Sequence, residues 1–177
     1  MPNWCNNTLM IVAPNNHKLT MVCKKLGLKN ETPQLNFGSI VPEPRGLMDE
    51  EQGGSNGFAM PNWYNWRVEN WGCKWDVGDL DELCITYNEV EAYVSHVITY
   101  PRVIVQFDTP WAPPTPFVMA LSEKYPDCVI LLEFEEGGMG FEGEIVVKAG
   151  DVEHQAERDM KPDFDYMLGD LIGEKEE

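Results

Sequence analysis

The sequence is poor in histidine and in basic residues, and it has no long apolar run. Its three histidines, His17, His96 and His154, stand far apart, and the five cysteines, Cys5, Cys23, Cys73, Cys84 and Cys128, form no Cys-x-x-Cys pair. A structural zinc site needs four convergent ligands at recognisable spacing, so no metal centre is expected. An odd, irregular set of cysteines also argues against a disulfide framework and for reduced, mostly buried thiols. No segment reaches the roughly 18 to 20 apolar residues of a membrane span. Met1-Pro2-Asn3-Trp4 lacks the basic start and apolar core of a secretory leader. The expectation is a soluble, cytoplasmic protein.

The imbalance of charge is large: 13 basic against 30 acidic residues, a formal net charge of -17. Nucleic-acid backbones and anionic membranes are held by clustered Lys and Arg, so neither is an expected partner. An acidic surface suits a basic protein, including one that itself grips DNA or RNA; solubility alone is the plainer explanation. With 177 residues, 43% of them hydrophobic, the chain can bury about 70% of its unfolded surface in a single core. No cofactor is implied. Gly53-Gly54 lacks the Lys-Ser/Thr ending and the preceding strand of a phosphate loop.

Thr8-Leu9-Met10-Ile11-Val12-Ala13, stopped by Pro14, predicts a central strand. Asn15 or Asn16 can cap a helix with Leu19, Val22, Cys23 and Leu26 on one face and Gly27 as its stop. Periodicity then lapses, except that residues 35–41 read as an edge strand or extended segment. Residues 49–57 read as an acidic, glycine-rich surface loop. Pro61 suits the first turn of a short helix carrying Trp63, Trp66, Arg67 and Asn70 or Trp71, ended by Gly72. Three strand-like pieces follow at 83–87, 92–100 and 102–108. Thr115 can cap a helix with Phe117, Ala120 and Leu121 inward. Residues 128–134 and 141–148 then form a hairpin around Gly137-Gly138-Met139-Gly140. Residues 151–177 carry ten acids against three bases, with Phe164, Met167, Leu168, Leu171 and Ile172 at helical spacing. The reading there is an acidic, helical C-terminal segment.

Strand, helix, two strands, helix, strand is the ferredoxin-like βαββαβ order. The expected fold is thus α+β: one antiparallel sheet over residues 1–150, a tryptophan-rich insertion after the first helix at about 28–82, and an extra C-terminal strand. Five motifs sharpen this: Met1-Pro2-Asn3-Trp4-Cys5-Asn6-Asn7; Phe37 followed by Ile40-Val41-Pro42; Trp71-Gly72-Cys73-Lys74-Trp75-Asp76; Thr109-Pro110-Trp111-Ala112-Pro113-Pro114; and Glu135-Glu136-Gly137-Gly138-Met139-Gly140-Phe141. Together, and in this order, they resemble the YubB-like, Api-like family of phage and plasmid proteins with a ferredoxin-like domain. The resemblance covers about residues 1–150 and leaves the acidic end outside. It implies a fold and a mobile genetic element as source; it carries over no catalytic residue.

The sharpest chemical candidate is Pro2, whose amine, once Met1 is removed, could act as base or nucleophile with Asn3, Asn6, Asn7 or Arg67 as oxyanion partner. Simple packing of the N-terminus is the competing reading. Asp76 with Asp79 and Asp81, and Glu133 with Glu135 and Glu136, follow no calcium-loop pattern and read as solvated faces. Trp63, Trp66, Trp71, Trp75 and Trp111 can stack a base or nucleotide ring, and Arg67, Lys74 and Arg102 can meet its phosphates. Most of the tryptophans are expected in a core layer that joins insertion to sheet, with one or two exposed. The binding candidates are therefore Pro2, Asn3, Asn6, Trp66, Arg67, Trp71, Lys74, Trp75 and Trp111. The leading expectation is a non-enzymatic accessory protein that binds and inhibits a host protein through its acidic surface. The alternative is a small-molecule or nucleotide-binding module, or an enzyme that uses the N-terminal proline, with a pocket lined by Pro2, Asn6, Arg67 and Trp71.

Overall fold

In a computed structural model, which describes residues 3–29, 33–47, 62–77, 84–93 and 97–159, β1 (Trp4–Val12) is the central strand. Its burial alternates, so Cys5, Asn7, Leu9 and Ile11 face one way and Asn6, Thr8, Met10 and Val12 the other. Helix α1 (Asn16–Leu26) begins where the Asn15 carboxamide oxygen accepts from the Lys18 amide at 2.9 Å. It ends at Gly27, φ 85°, and buries the four apolar residues that the spacing marks.

The stretch expected as an edge strand is instead a 3-10 turn, Phe37–Ser39. Two local and distant polar groups impose this. The Asn36 side chain accepts from the Ser39 amide at 2.7 Å, and the Asp76 carboxylate accepts from the amides of Phe37 (2.7 Å) and Gly38 (3.1 Å). Helix α2 (Trp63–Asn70) is capped by Asn62, whose side chain accepts from the Tyr64 and Asn65 amides, so the start lies two residues beyond the proline that suggested it.

Two long strands replace the three expected pieces: β2 (Cys84–Tyr93) and β3 (Val97–Pro110). Pro101 does not interrupt β3. Its carbonyl accepts from the Ala13 amide, and the N–H it lacks would point the same way, to where β1 has already ended. Helix α3 (Thr115–Lys124) has Pro114, not Thr115, at its cap position and buries Phe117, Val118, Leu121 and Ser122. Strands β4 (Val129–Glu136) and β5 (Phe141–Lys148) form the expected hairpin.

A sixth strand, β6 (Asp151–Asp159), corrects the reading of the C-terminal segment, whose first nine residues are strand and belong to the sheet. Ala149 (φ 52°) and Gly150 (φ 85°) supply the left-handed pair of a tight hairpin turn, a signal the charge of the segment obscured. The helical stripe from Phe164 to Ile172 lies outside the described residues. The sheet order is β2-β3-β1-β4-β5-β6, every pairing antiparallel. Its first four strands have the ferredoxin-like arrangement, and two strands, not one, extend the β4 edge.

Apolar side chains of α1 and α3 share the core with one face of the sheet, and Phe37 lies at its centre with no exposure. Phe37 meets Phe117 at 4.2 Å, Phe107 at 6.0 Å and Trp71 at 6.2 Å between ring centroids. Among the described residues, no helix lies on the other face of the sheet. Both features position the candidate sites.

Candidate functional site

The first site grows from α2 and the turn after it. Spacing of four residues sets Trp63 and Arg67 on one side of α2, and the Arg67 guanidinium lies 5.0 Å from the Trp63 ring centre and 5.2 Å from Trp71. Glu43 closes the pair: its carboxylate accepts from Arg67 Nε at 2.6 Å and Nη2 at 3.1 Å. Nothing local in Pro42-Glu43-Pro44 signalled this role. Gly72 (φ 90°) then reverses the chain, and a Cβ there would meet Pro116 Cδ at 2.7 Å and the Pro113 carbonyl at 2.8 Å. The reversal swings Lys74 and Trp75 back beside α2.

Lys74 ends in a ring of aromatics. Its Nζ lies 4.6 Å from the Trp75 ring centre, 5.4 Å from Trp111 and 5.9 Å from both Trp63 and Tyr64. Trp111 arrives from the far end of β3 with φ 67°, a backbone conformation costly for a bulky side chain. Three bonds hold it there: buried Asn7 Nδ2 donates to Thr109 Oγ1 at 2.8 Å, Thr109 Oγ1 donates to the Ala112 carbonyl at 2.7 Å, and the Trp111 amide donates to the Asn3 carbonyl at 2.9 Å.

The tryptophans divide between core and surface, with two of the five at this site exposed. Trp71 is buried, its Nε1 donating to the Val41 carbonyl at 2.9 Å, and Trp66 packs edge-on against it at 5.6 Å. Trp75 and Trp111, 6.1 Å apart, are exposed by 39% and 42% and make a rim beside this core, while Trp4, exposed by 47%, lies on the outward side of β1. The left-handed turns at Gly72 and Trp111 turn the Trp75 and Trp111 rings outward, whereas strand alternation sets Trp4.

The second site is the face of the sheet that no described helix covers. There Asn6, Asp108, Glu133, Glu135, Glu142, Glu144 and Arg158 border a hollow of about 580 Å³. Register sets Glu133 directly opposite Glu144 and Glu135 directly opposite Glu142. Partial relief comes from Asn6 Nδ2 donating to Glu135 (3.1 Å), from His154 against Glu144 (2.9 Å) and from Arg158 against Glu142 (2.7 Å). Burial holds the Asp108 carboxyl above its ordinary range. Among the described residues, no three His, Cys, Asp or Glu side chains converge as a metal site would require.

Of the predicted residues, Arg67, Trp66, Trp71, Lys74, Trp75 and Trp111 come together, and Asn3 joins them through its carbonyl. Asn6 does not. Strand alternation turns it to the carboxylate face, while Arg67 borders a separate hollow with Glu43, Pro44, Leu47 and Trp63, so the expected shared pocket does not form between them. Pro2 lies outside the described residues. The buried thiols of Cys5 and Cys73 are pushed up to about 12 by burial, which keeps thiolate nucleophiles out of neutral solution.

Strand order and helix placement define a ferredoxin-like α+β domain. Residues 86–170 match the family model described as the ferredoxin-like domain in Api92-like protein, so the similarity runs through β6 and beyond residue 150. The structure also resembles the crystal structure of a protein api92 from Yersinia pseudotuberculosis at 19% identity and a TM-score of 0.48, covering 72% of this chain and 40% of that one. No curated protein matches the sequence.

Proposed function

We propose that the chain is a non-enzymatic accessory protein, of the phage and plasmid kind that its motifs resemble, which captures a basic host protein and inhibits it. The partner is one that works in defence or nucleic-acid metabolism, and the carboxylate-bearing face of the sheet is the contact. One observation carries this reading: two pairs of glutamates stand directly opposite each other across β4 and β5. Like charges in that register cost stability, about 0.2 to 1 kcal/mol per pair, which a fold under no other demand would shed. A row of Lys or Arg from a partner would relieve the repulsion and be steered in by the net charge of -17.

The test is retention of proteins from host lysate on the immobilised chain across a salt series, beside a variant with Glu133, Glu135, Glu142 and Glu144 changed to glutamine. A basic protein held by the native chain at low salt, released at high salt and absent from the variant is the expected result. Equal retention by both chains would overturn the reading.

A further inference from the structure

We propose that Trp63, Tyr64, Trp75 and Trp111 form a receptor for a quaternary ammonium group, which Lys74 fills in the free protein as a displaceable plug. Four rings within 6 Å of one nitrogen form an enclosure rather than a chance contact. The ammonium in it has no carboxylate within 4.0 Å among the described residues, although Lys18, Arg67 and Arg158 each have one at 2.9, 2.6 and 2.7 Å. Among the described residues, the Lys74 ammonium is held by ring faces alone.

That arrangement sets up an exchange. A primary ammonium is strongly hydrated and carries three N–H donors, and the rings around Lys74 offer them no strong acceptor. A quaternary ammonium has no donor to satisfy and loses little hydration on entering an aromatic enclosure. Moving Lys74 out to water while a trimethylated nitrogen moves in therefore improves the surroundings of both cations. The route is open, because Tyr64, Trp75 and Trp111 are all exposed. The plug can leave without disturbing the chain. Trp71 and Cys73 anchor the backbone by burial, and the Lys74 carbonyl accepts from Arg67 Nη1 at 3.4 Å, so only the flexible four-carbon stem has to swing. The strained Trp111 backbone, fixed by bonds from β1, keeps the outer wall standing when the plug is absent.

The experiment titrates the full chain with tetramethylammonium at constant ionic strength, reading tryptophan fluorescence and indole N–H shifts. Methylammonium and acetyl-lysine amide are the primary-ammonium controls. Choline and acetyl-trimethyllysine amide then separate a small-molecule source from a protein side chain. Saturable quaternary binding is expected, about tenfold tighter in Lys74→Gln, and about tenfold weaker in Trp75→Ala and in Trp111→Ala, whose side chains are already exposed. Circular dichroism checks that each variant is folded, and the native titration stands without any variant. Equal response to primary and quaternary ammonium, no gain in Lys74→Gln, or a response to AMP with none to tetramethylammonium overturns the proposal. The enclosure shares no residue with the carboxylate face, so the two readings fail independently.

Discussion

The two faces of this sheet are written by the same strands in opposite chemistry. Toward the helices, β1 sends Cys5, Asn7, Leu9 and Ile11, all buried. Away from them, the rows across the sheet begin apolar with Met10, Ile104, Leu131 and Val146, then turn polar through Thr8, Gln106, Glu133 and Glu144, and end with Asn6, Asp108, Glu135 and Glu142. A fold needs the first face, since burial there drives folding. It does not need a graded acidic surface with like charges in register, so the difference separates what sustains the structure from what is available for binding.

The largest effect that tests this division is expected at the centre of the covered face. Phe37→Ala removes a fully buried ring that meets Phe117, Phe107 and Trp71. Urea unfolding should show a loss of about 3 to 5 kcal/mol, because the neighbours from β3, α3 and the α2 turn cannot all collapse into the space. A loss under about 1 kcal/mol would mean that the insertion is not part of the core.

Two consecutive asparagines give a finer comparison. Asn7 is buried, and its Nδ2 donates to the Cys5 carbonyl (2.8 Å), the Phe107 carbonyl (3.3 Å) and Thr109 Oγ1 (2.8 Å). Asn6, one residue earlier, is exposed and donates only to Glu135 among the bonds seen. Asn7→Ala strands buried acceptors and should cost about 1 to 3 kcal/mol. Asn6→Ala should stay within about 0.5 kcal/mol of the native chain. Thermal unfolding of both variants decides it, and equal losses would contradict the assignment of the two faces.

Much of this was readable beforehand where the determinants are local. The cap at Asn15, the stripe from Leu19 to Leu26 and the stop at Gly27 lie within a dozen residues, and α1 forms as read. So do the β4–β5 hairpin and α2. Errors arose where a distant group decides. Asp76 bonds to the amides of Phe37 and Gly38 from almost forty residues away, which turns an apparent strand into a 3-10 turn. Arg67, Trp71 and Lys74 were legible as members of a site from α2 spacing and the motif that follows. Glu43, and the placing of Trp111 against Trp75 at 6.1 Å, depend on chain reversals that periodicity does not carry. Strand β6 was hidden because its nine residues are nearly all polar, and its evidence is the turn before it rather than an apolar alternation.

The smallest effect is the most diagnostic for the carboxylate face. Replacing both Glu133 and Glu135 by glutamine removes one member of each opposed pair on β4 and β5 while keeping size and shape. If those carboxylates served the fold, the double variant would be less stable. If they cost the fold, it should gain about 0.5 kcal/mol at low ionic strength. The sign is fixed by which loss is larger: the bond from Asn6 to Glu135 survives in part, because the glutamine oxygen still accepts, whereas both repulsions vanish. Salt discriminates further, since about 0.5 M screens exposed charges beyond a few ångströms and should shrink the gain toward zero. Denaturation midpoints at low and high salt measure this. A stabilisation that disappears with salt, in a variant that no longer retains the basic partner, would mean that the face gives up stability in order to bind; a destabilisation at both salt levels would place these glutamates among the supports of the sheet.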